Sequence, residues 1–194
     1  MSRQAVTAAP LHPLLAERWS PRSFDPEHRL TQAQETALLE AARWAPSARN
    51  VQPWRFLVGH RGDATFKGLF EALMTANQEW AGDASALIGA VVEERLEDGR
   101  ANPSAAYDLG QAVAHLSAQA HAEGLHVHQM GGFHPERVRA AFGVPEGFLP
   151  LTVVAVGRLA PADRLPPELH ARETAARARR PLKETVYHGG WGEH

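Results

Sequence analysis

Hydrophobic residues recur along this chain with two periods, one typical of helices and one typical of buried strands. Apolar side chains at helical spacing predict helices over residues 11–18, 31–45, 66–73, 75–81, 105–122, 135–142 and 168–177. Short apolar runs with little or no charge predict strands over residues 54–58, 86–92, 125–130 and 151–157. Helices and strands therefore follow one another along most of the chain.

Local signals mark several of the predicted helix ends. Pro21 ends the first helix, since proline cannot donate the next backbone hydrogen bond. Thr31 and Gln34 have the spacing of a capping box, and Ser104 stands where an N-cap is expected for the long helix. Gly124 follows that helix as a C′ residue.

The stretch at residues 45–56, APSARNVQPWRF, lies where a predicted helix gives way to a predicted strand. Pro46 and Pro53 restrict its backbone. Between the prolines lie three uncharged polar side chains, those of Ser47, Asn50 and Gln52. Two interpretations remain open. The stretch is an ordinary capped loop, because these residue types are common in turns, or it wraps an uncharged heterocycle and bonds to its edge.

A second polar cluster lies just after the first predicted helix, where Arg18, Ser20 and Arg22 fall within five residues. Two guanidinium groups can bind a phosphate as forks, and the serine adds a hydroxyl donor. The alternative is a solvated basic turn. A third feature, Gly131-Gly132, is either a plain turn or a bare backbone that a flat ligand can approach.

Composition narrows the functional classes. The 194 residues suit one domain, and 44% hydrophobic with 22% charged residues is typical of a soluble globular protein. A net charge of -2 argues against general attraction to nucleic acid or anionic membranes. The absence of cysteine excludes disulfides, a thiol nucleophile and cysteine-ligated metals. Without a long apolar run or a leader-like N-terminus, we expect a soluble cytoplasmic protein.

Other kinds of site find little support in the sequence. His126 and His128 alternate on one strand face, yet no carboxylate stands beside them at useful spacing, and no zinc-protease motif is present, so no metal site is predicted. Phosphate-binding loops, dinucleotide fingerprints and nucleophile elbows are also missing. Asp25, Asp83 and Asp108 are expected to be caps or surface charges.

Taken in order, the motifs resemble those of the flavin-dependent nitroreductases, in particular the shorter members of that family. Residues 18–24, RWSPRSF, are similar to the family's R-R-S-x-R-x-F, and residues 45–56 are similar to its A-P-S-x-x-N-x-Q-P-W-x-F. Looser similarities follow at Asn77, Gly124-Leu125, Gly131-Gly132-Phe133, Arg179-Arg180-Pro181-Leu182 and Trp191-Gly192. The resemblance covers roughly residues 11–192.

The resemblance implies an α+β fold, in which helices flank a central, mostly antiparallel sheet, and an intertwined homodimer with FMN at the subunit interface. It divides the chain into a flexible N-terminus (residues 1–10), a flavin-binding domain (residues 11–165) and a C-terminal extension that packs on the partner subunit (residues 166–194).

It also assigns cofactor contacts by position. The FMN phosphate and ribityl chain are expected to contact the N-terminal motif, reinforced by the C-terminal arginines; these residues are Arg18, Trp19, Ser20, Arg22, Arg179 and Arg180. Residues reaching the flavin of the other subunit are expected to be Pro46, Ser47 and Asn50. Asn77 is expected to bond the pyrimidine edge, and the backbone of Gly131 and Gly132 is expected near N5.

The chain departs from the family pattern at three positions. Ala48 stands where a second serine is frequent, so one hydrogen bond is expected to be missing. Gly131 replaces a frequent glutamate but keeps its backbone N–H. Trp80 stands near the position of a frequent lysine, and either packs beside the flavin ring or belongs to the core.

The function implied is reduction of nitroaromatic, quinone or activated-alkene acceptors by ping-pong hydride transfer from NADH or NADPH. No protein side chain is predicted to be catalytic, since flavin carries the chemistry. Two alternatives remain: a different flavin chemistry on the same scaffold, oxygen-dependent or dehydrogenating, and a non-enzymatic flavin-binding protein.

Overall fold

The computed structural model describes residues 4–193 and has one antiparallel sheet at its centre. Its strands are β1 (Trp54–His60), β2 (Ala86–Glu93), β3 (His126–Met130) and β4 (Phe148–Gly157), in the spatial order β1-β2-β4-β3. All three pairings are antiparallel, so the expected α+β fold with an antiparallel sheet is confirmed.

Helices cover both faces of this sheet. They are α1 (Pro13–Ala16), α2 (Gln32–Arg43), α3 (Ala64–Glu71), α4 (Thr75–Ala81), α5 (Ala105–Ala122), α6 (Pro135–Phe142) and α7 (Pro167–Thr174). Short 3-10 turns occur at Ala48–Asn50, Ala162–Arg164 and Leu182–Glu184. Within the described residues, no helix combines the length and the apolar character needed to cross a membrane.

The sheet separates two apolar cores. On one face α2 and α5 pack against side chains of β1, β2 and β4, and on the other face α3, α4, α6 and α7 contribute the second core. β2 is buried along almost its whole length because it lies between two strands and under helices on both faces. This explains why its sequence is an unbroken apolar run rather than an alternating one.

The long helix α5 has the predicted bounds and the predicted buried face. Leu109, Val113, Leu116 and Ala120 are all fully or almost fully buried. Gly124 follows it with a φ of +72°, a left-handed conformation that glycine adopts without the penalty of a Cβ. The capping box of α2 is also confirmed, with Thr31 and Gln34 bonded reciprocally.

Three local predictions differ from the structure. The first helix is only four residues long, and Leu11 and Leu15, two of the apolar residues whose spacing predicted it, are exposed. Ser104 does not cap α5 with its side chain; instead its backbone N–H donates to Oδ1 of Asn102 at 3.1 Å. A residue before the expected cap therefore orders the start of this helix.

The last strand begins three residues earlier than predicted, at Phe148. Pro150 argued against strand structure there, because proline cannot donate to a ladder. The pairing between β2 and β4 shifts register beside Pro150, between Ala90 and Val91. A bulge is a place where a strand accommodates proline, which explains why sequence patterning missed the first three residues of β4.

The C-terminal extension has two parts. Its helix α7 packs on its own chain, where Leu169 and Glu173 are buried. The residues after α7 are mostly exposed, including Leu182 and Trp191, the latter 92% exposed. Packing of this tail on a partner subunit therefore stays a prediction for residues 175–193.

Candidate functional site

The Arg-Ser-Pro-Arg turn lies along the free edge of the sheet. β3 is an edge strand, and His128 Nδ1 donates a hydrogen bond to the carbonyl of Pro21 at 2.8 Å. Two residues earlier on the same strand face, the ring of His126 lies edge-on to Trp19, with 6.3 Å between ring centroids. Two strand histidines thus hold residues 19–21 in place.

Three polar groups of this turn have unused hydrogen-bonding capacity. Arg18, Ser20 and Arg22 are half-buried. Within residues 4–193, neither the two guanidinium groups nor the Ser20 hydroxyl donates a side-chain hydrogen bond; the nearest contact is 3.9 Å, from Arg22 Nη1 to Glu173. Cationic donors that no protein group occupies remain available to bind an anion.

The charge around the turn is positive. The pKa of Arg18 is lowered by burial and by the nearby charge of Arg179. The pKa of Arg22 is lowered by burial and by Arg172, and raised in part by Glu173. Arginine stays protonated at neutral pH, so these shifts report mainly the cost of burying the charge, and secondly the repulsion from the neighbouring arginines. A bound dianion would relieve that repulsion.

Burial and the same arginines keep both strand histidines neutral. The pKa of His126 is lowered to about 4 by burial, His121 and Arg18. The pKa of His128 is lowered to about 4 mainly by burial, with Arg22 and Arg172 adding to the effect and the bond to Pro21 opposing it. Among the described residues, no group of three His, Asp or Glu side chains is arranged to hold a metal ion.

Asn77 contacts the glycine turn that follows β3. Its Nδ2 donates to the carbonyl of Gly132 at 2.9 Å, and the backbone N–H of Met74 donates to the same carbonyl at 3.0 Å. A Cβ built on Gly132 would lie only 2.8 Å from Asn77 Nδ2, whereas one on Gly131 would meet nothing within 4 Å. The amide is therefore oriented with Oδ1 left as an acceptor, to which no described residue donates.

Trp80 belongs to the core, which resolves the two interpretations of this residue. It is 4% exposed and stacks on Phe24 at 6.1 Å, with the His128 ring tilted against it at 4.5 Å. Its indole N–H is buried and finds no acceptor among the described residues. Trp80 therefore packs against the same strand histidine that holds the arginine turn.

The loop over residues 46–53 has a strained backbone. Arg49, Asn50 and Gln52 have φ values of +53°, +58° and +51°, in the left-handed region. Each such residue costs roughly 1–2 kcal/mol relative to ordinary backbone, and strain of this kind clusters at functional sites. The Ser47 hydroxyl accepts from the N–H of Gln52 at 3.0 Å, so part of the loop is closed on itself.

Asp108 fastens this loop to the long helix. Its Oδ2 accepts from the backbone N–H of Ala48 at 3.1 Å, and its side chain is 1% exposed. Asp108 is therefore not the surface charge considered from the sequence. The sequence did contain a signal that Asp108 is buried: it stands next to Leu109 and four residues before Ala112, and so shares the buried face of α5.

The loop and the arginine turn lie at opposite ends of α5. Asp108 holds the loop in the first turn, whereas His121 of the last turn contacts His126 at 5.5 Å, beside Trp19. These two α5 residues are 13 positions apart, which corresponds to about 20 Å of helix at 1.5 Å per residue. Within one chain, the predicted cofactor residues therefore form two groups, and residues 46–50 are not brought to Arg18 and Arg22.

The tail arginines differ in their surroundings. Arg179 is exposed and its charge acts on Arg18, as expected for a residue near the arginine turn. Arg180 is exposed and has no described contact. Sequence reasoning missed Arg177, which donates to the carbonyls of Ala16 and Arg18 at 2.9 and 2.8 Å and ties the tail to the N-terminal segment.

A cavity of about 720 Å³ lies near the beginning of α5, away from the arginine turn. Its walls include Val92, Arg95, Asn102, Arg139 and Leu149. Asp98 belongs to the turn that precedes Asn102, and Arg49 belongs to the strained loop. The pKa of Asp98 is lowered mainly by Arg100 but also by Arg49, so the turn and the loop are neighbours. The cavity thus adjoins the loop group rather than the arginine group.

Comparison with known proteins gives a consistent result. The model of the Nitroreductase family matches residues 15–79 and 63–158. The NADH dehydrogenase of Thermus thermophilus is 36% identical over 165 residues, covering 68% of this chain and 80% of that protein. The oxygen-insensitive NAD(P)H nitroreductase of Salmonella typhimurium is 28% identical over 184 residues, covering 73% of this chain and 85% of that protein.

A solved structure described as an oxidoreductase containing FMN is similar over the whole length. It aligns with a TM-score of 0.93 at 34% sequence identity, and covers 100% of this chain and 99% of its own. The similarity includes the C-terminal extension as well as the sheet and its helices.

Proposed function

The chain belongs to the nitroreductase family, and from that premise we propose that it is an FMN-dependent NAD(P)H oxidoreductase. The observation that carries the proposal is the set of unused donors at Arg18, Ser20 and Arg22, surrounded by further positive charge. A phosphate monoester fits this set, because it offers several strong acceptors and up to two negative charges.

The groups follow an order along the sheet edge that suits one FMN molecule. The arginine turn lies beside His126 and His128, and the Asn77–Gly132 contact follows the other end of the strand. At about 3.3 Å per residue, β3 separates the two by on the order of 13–17 Å. We assign the phosphate to the arginine turn and the pyrimidine edge to Asn77.

Each protein group has a physical role in this arrangement. Arg18, Ser20 and Arg22 bind the phosphate, and Arg179 adds positive charge beside Arg18. The free Oδ1 of Asn77 accepts from an N–H of the ring, and the bare 131–132 backbone allows the ring to approach. FMN held by these residues would supply the hydride chemistry between NADH or NADPH and the acceptor. We expect nitroaromatics, quinones or activated alkenes as acceptors, in ping-pong order.

We further propose that residues 46–50 complete the flavin site of a partner subunit, with Pro46, Ser47 and Asn50 as contacts. The separation along α5 supports this. Asp108, which holds the loop, and His121, which neighbours the arginine turn through His126, are about 20 Å apart along the helix, so the loop lies away from the arginine turn of its own chain. The exposed Trp44 and Val51 beside the loop, 74% and 37% exposed, offer apolar surface for such a partner.

The phosphate assignment is tested with Arg22→Ala. A charge-assisted hydrogen bond contributes about 1.5–3 kcal/mol, so FMN affinity should fall about tenfold to a hundredfold. Riboflavin, which lacks the phosphate, should bind almost unchanged. Arg29→Ala, which removes an exposed arginine that donates to the carbonyl of Arg61, is the matched control and should leave both affinities unchanged. Equal FMN binding by Arg22→Ala and wild type would refute the assignment.

The cross-subunit loop is tested with mixed dimers of Arg22→Ala and Asn50→Ala chains carrying different affinity tags. In a mixed dimer with shared sites, one site receives both defects and the other receives none. Each purified heterodimer should then hold about one tightly bound FMN, while both homodimers bind weakly. Heterodimers that retain no more FMN than the homodimers would show that the loop serves its own chain.

The activity is tested by anaerobic spectroscopy. The purified protein should be yellow, NADH or NADPH should bleach the flavin absorbance, and a nitroaromatic or quinone should restore it. Flavin binding without bleaching by either nicotinamide would exclude the reductase and favour the other flavin chemistries or a carrier role.

A further inference from the structure

Glu173 is a buried carboxylate in the last turn of α7. Its side chain is 2% exposed, although glutamate is rarely buried unless paired. Its Oε1 accepts from the backbone N–H of Arg22 at 2.9 Å and from that of Ser23 at 3.1 Å, and its Oε2 lies 3.1 Å from the same Arg22 N–H. The carboxylate therefore binds the backbone of the arginine turn from behind.

This contact leaves the guanidinium of Arg22 available. Arg22 Nη1 is 3.9 Å from Glu173 Oε2, beyond hydrogen-bond distance, so charge attraction orients the side chain without occupying its donors. The neighbouring Arg172 lies close enough to lower the pKa of Arg22. One helix turn thus supplies both a fixed backbone anchor and a further cation.

Other contacts fasten the turn, but none of them acts on the peptide of Arg22. Ser23 Oγ donates to the carbonyl of Pro161 at 2.7 Å, and His128 binds the carbonyl of Pro21. Phe24 pairs with Leu159 through an isolated bridge. Among the described residues, Glu173 is thus the one that binds the backbone N–H groups on both sides of the Arg22 Cα, those of Arg22 and Ser23.

We propose that Glu173 is a positioning residue for the cofactor phosphate, acting through Arg22. The inference rests on the proposed function, since it takes the phosphate of FMN as the anion that Arg22 binds. It connects the C-terminal helix to the cofactor site over 151 residues of sequence. A purely structural carboxylate would instead stabilise the fold without regard to the ligand's phosphate.

The test compares FMN and riboflavin affinities of wild type, Glu173→Ala and Glu173→Gln by flavin fluorescence titration. Glu173→Ala leaves two backbone N–H groups without their acceptor, and FMN affinity should fall about tenfold while riboflavin affinity changes less than twofold. Glu173→Gln keeps one acceptor oxygen but turns an NH₂ group toward Arg22, so a loss of about threefold is expected for FMN alone. Glu168→Ala, on the exposed first turn of the same helix, is the control and should match wild type.

Two further comparisons separate positioning from general stability. In an Arg22→Ala background, adding Glu173→Gln should cost no additional FMN affinity, because the residue through which Glu173 acts is gone. Equal losses for FMN and riboflavin, or unchanged FMN affinity in Glu173→Gln, would overturn the inference. If Glu173→Ala does not fold, Glu173→Gln still decides the question. Wild-type protein that binds no FMN, or binds it no better than riboflavin, would instead refute the proposed phosphate site.

Discussion

Replacing Gly132 with alanine tests whether the Asn77 contact shapes the ring end of the proposed flavin site. The new Cβ would lie 2.8 Å from Asn77 Nδ2, whereas ordinary contacts begin near 3.4 Å. The amide must therefore move by roughly 0.6 Å or more, away from a carbonyl that it now meets at 2.9 Å. Because Asn77 is a short side chain at the surface of α4, it can rotate away, so the protein should still fold.

The energetic cost follows from the bonds that this rotation breaks. Loss of the Asn77–Gly132 hydrogen bond should lower the free energy of unfolding by about 0.5–1.5 kcal/mol. Loss of the bond from a flavin N–H to Asn77 Oδ1 should weaken FMN binding by a similar energy, about twofold to tenfold in Kd. Riboflavin should lose the same factor, since the phosphate is not involved.

The assay is urea denaturation of the apoprotein together with fluorescence titration of both flavins. Gly82→Ala is the matched control, because it adds the same methyl group beside the end of the same helix, where the Cβ would meet Phe70 at an ordinary 3.6 Å. Its flavin affinities should equal those of wild type. If Gly132→Ala binds both flavins as tightly as Gly82→Ala does, Asn77 does not bond the ring and its assignment is wrong.

Three other predictions test separate parts of the structure. Asp108→Ala removes the buried acceptor of the Ala48 N–H and should lower the free energy of unfolding by about 1–3 kcal/mol in urea denaturation. Asp98→Ala, at an exposed turn, is the control and should leave the free energy of unfolding nearly unchanged; equal effects would refute the anchoring role. The pKa values of His126 and His128 are about 4 when folded and near 6.5 when unfolded. Their contribution to stability should therefore be constant above pH 6.5 and fall between pH 6.5 and 4. A His126→Gln, His128→Gln double variant should show a shallower fall of the free energy of unfolding in that range; an unchanged slope would contradict the buried neutral state. Trp80 is a core residue stacked on Phe24, so Trp80→Ala should lower the free energy of unfolding by about 3–5 kcal/mol and Trp80→Phe clearly less, as measured by thermal unfolding of the apoprotein. A loss below about 1 kcal/mol for Trp80→Ala would argue against that packing.

Much of the fold could be predicted because its signals are local. The bounds of α5 follow from apolar spacing and from Gly124, and the start of α2 follows from a capping box four residues long. β2 was found because a strand covered on both faces must be apolar throughout. Each of these features depends on neighbours within a few positions, which the sequence displays directly.

The errors occur where a distant segment overrides the local pattern. Pro150 lies in a strand because β2 meets it at a register shift. Leu11 and Leu15 have helical spacing but are exposed, since the short α1 buries only Ala16 within its own chain. Spacing alone cannot tell which side of a segment another segment will cover.

The sequence by itself determined the family, the antiparallel α+β fold through its resemblance, and the residue types at the proposed cofactor site. Only the tertiary structure decided which of those residues lie together: Arg22 meets Glu173 from the other end of the chain, while Asp108 holds the Ser47–Asn50 loop at the opposite end of α5. The reason is physical. A residue's type and its near neighbours set the local backbone and the chemistry it can perform, but proximity across 151 residues depends on how the sheet and its helices pack.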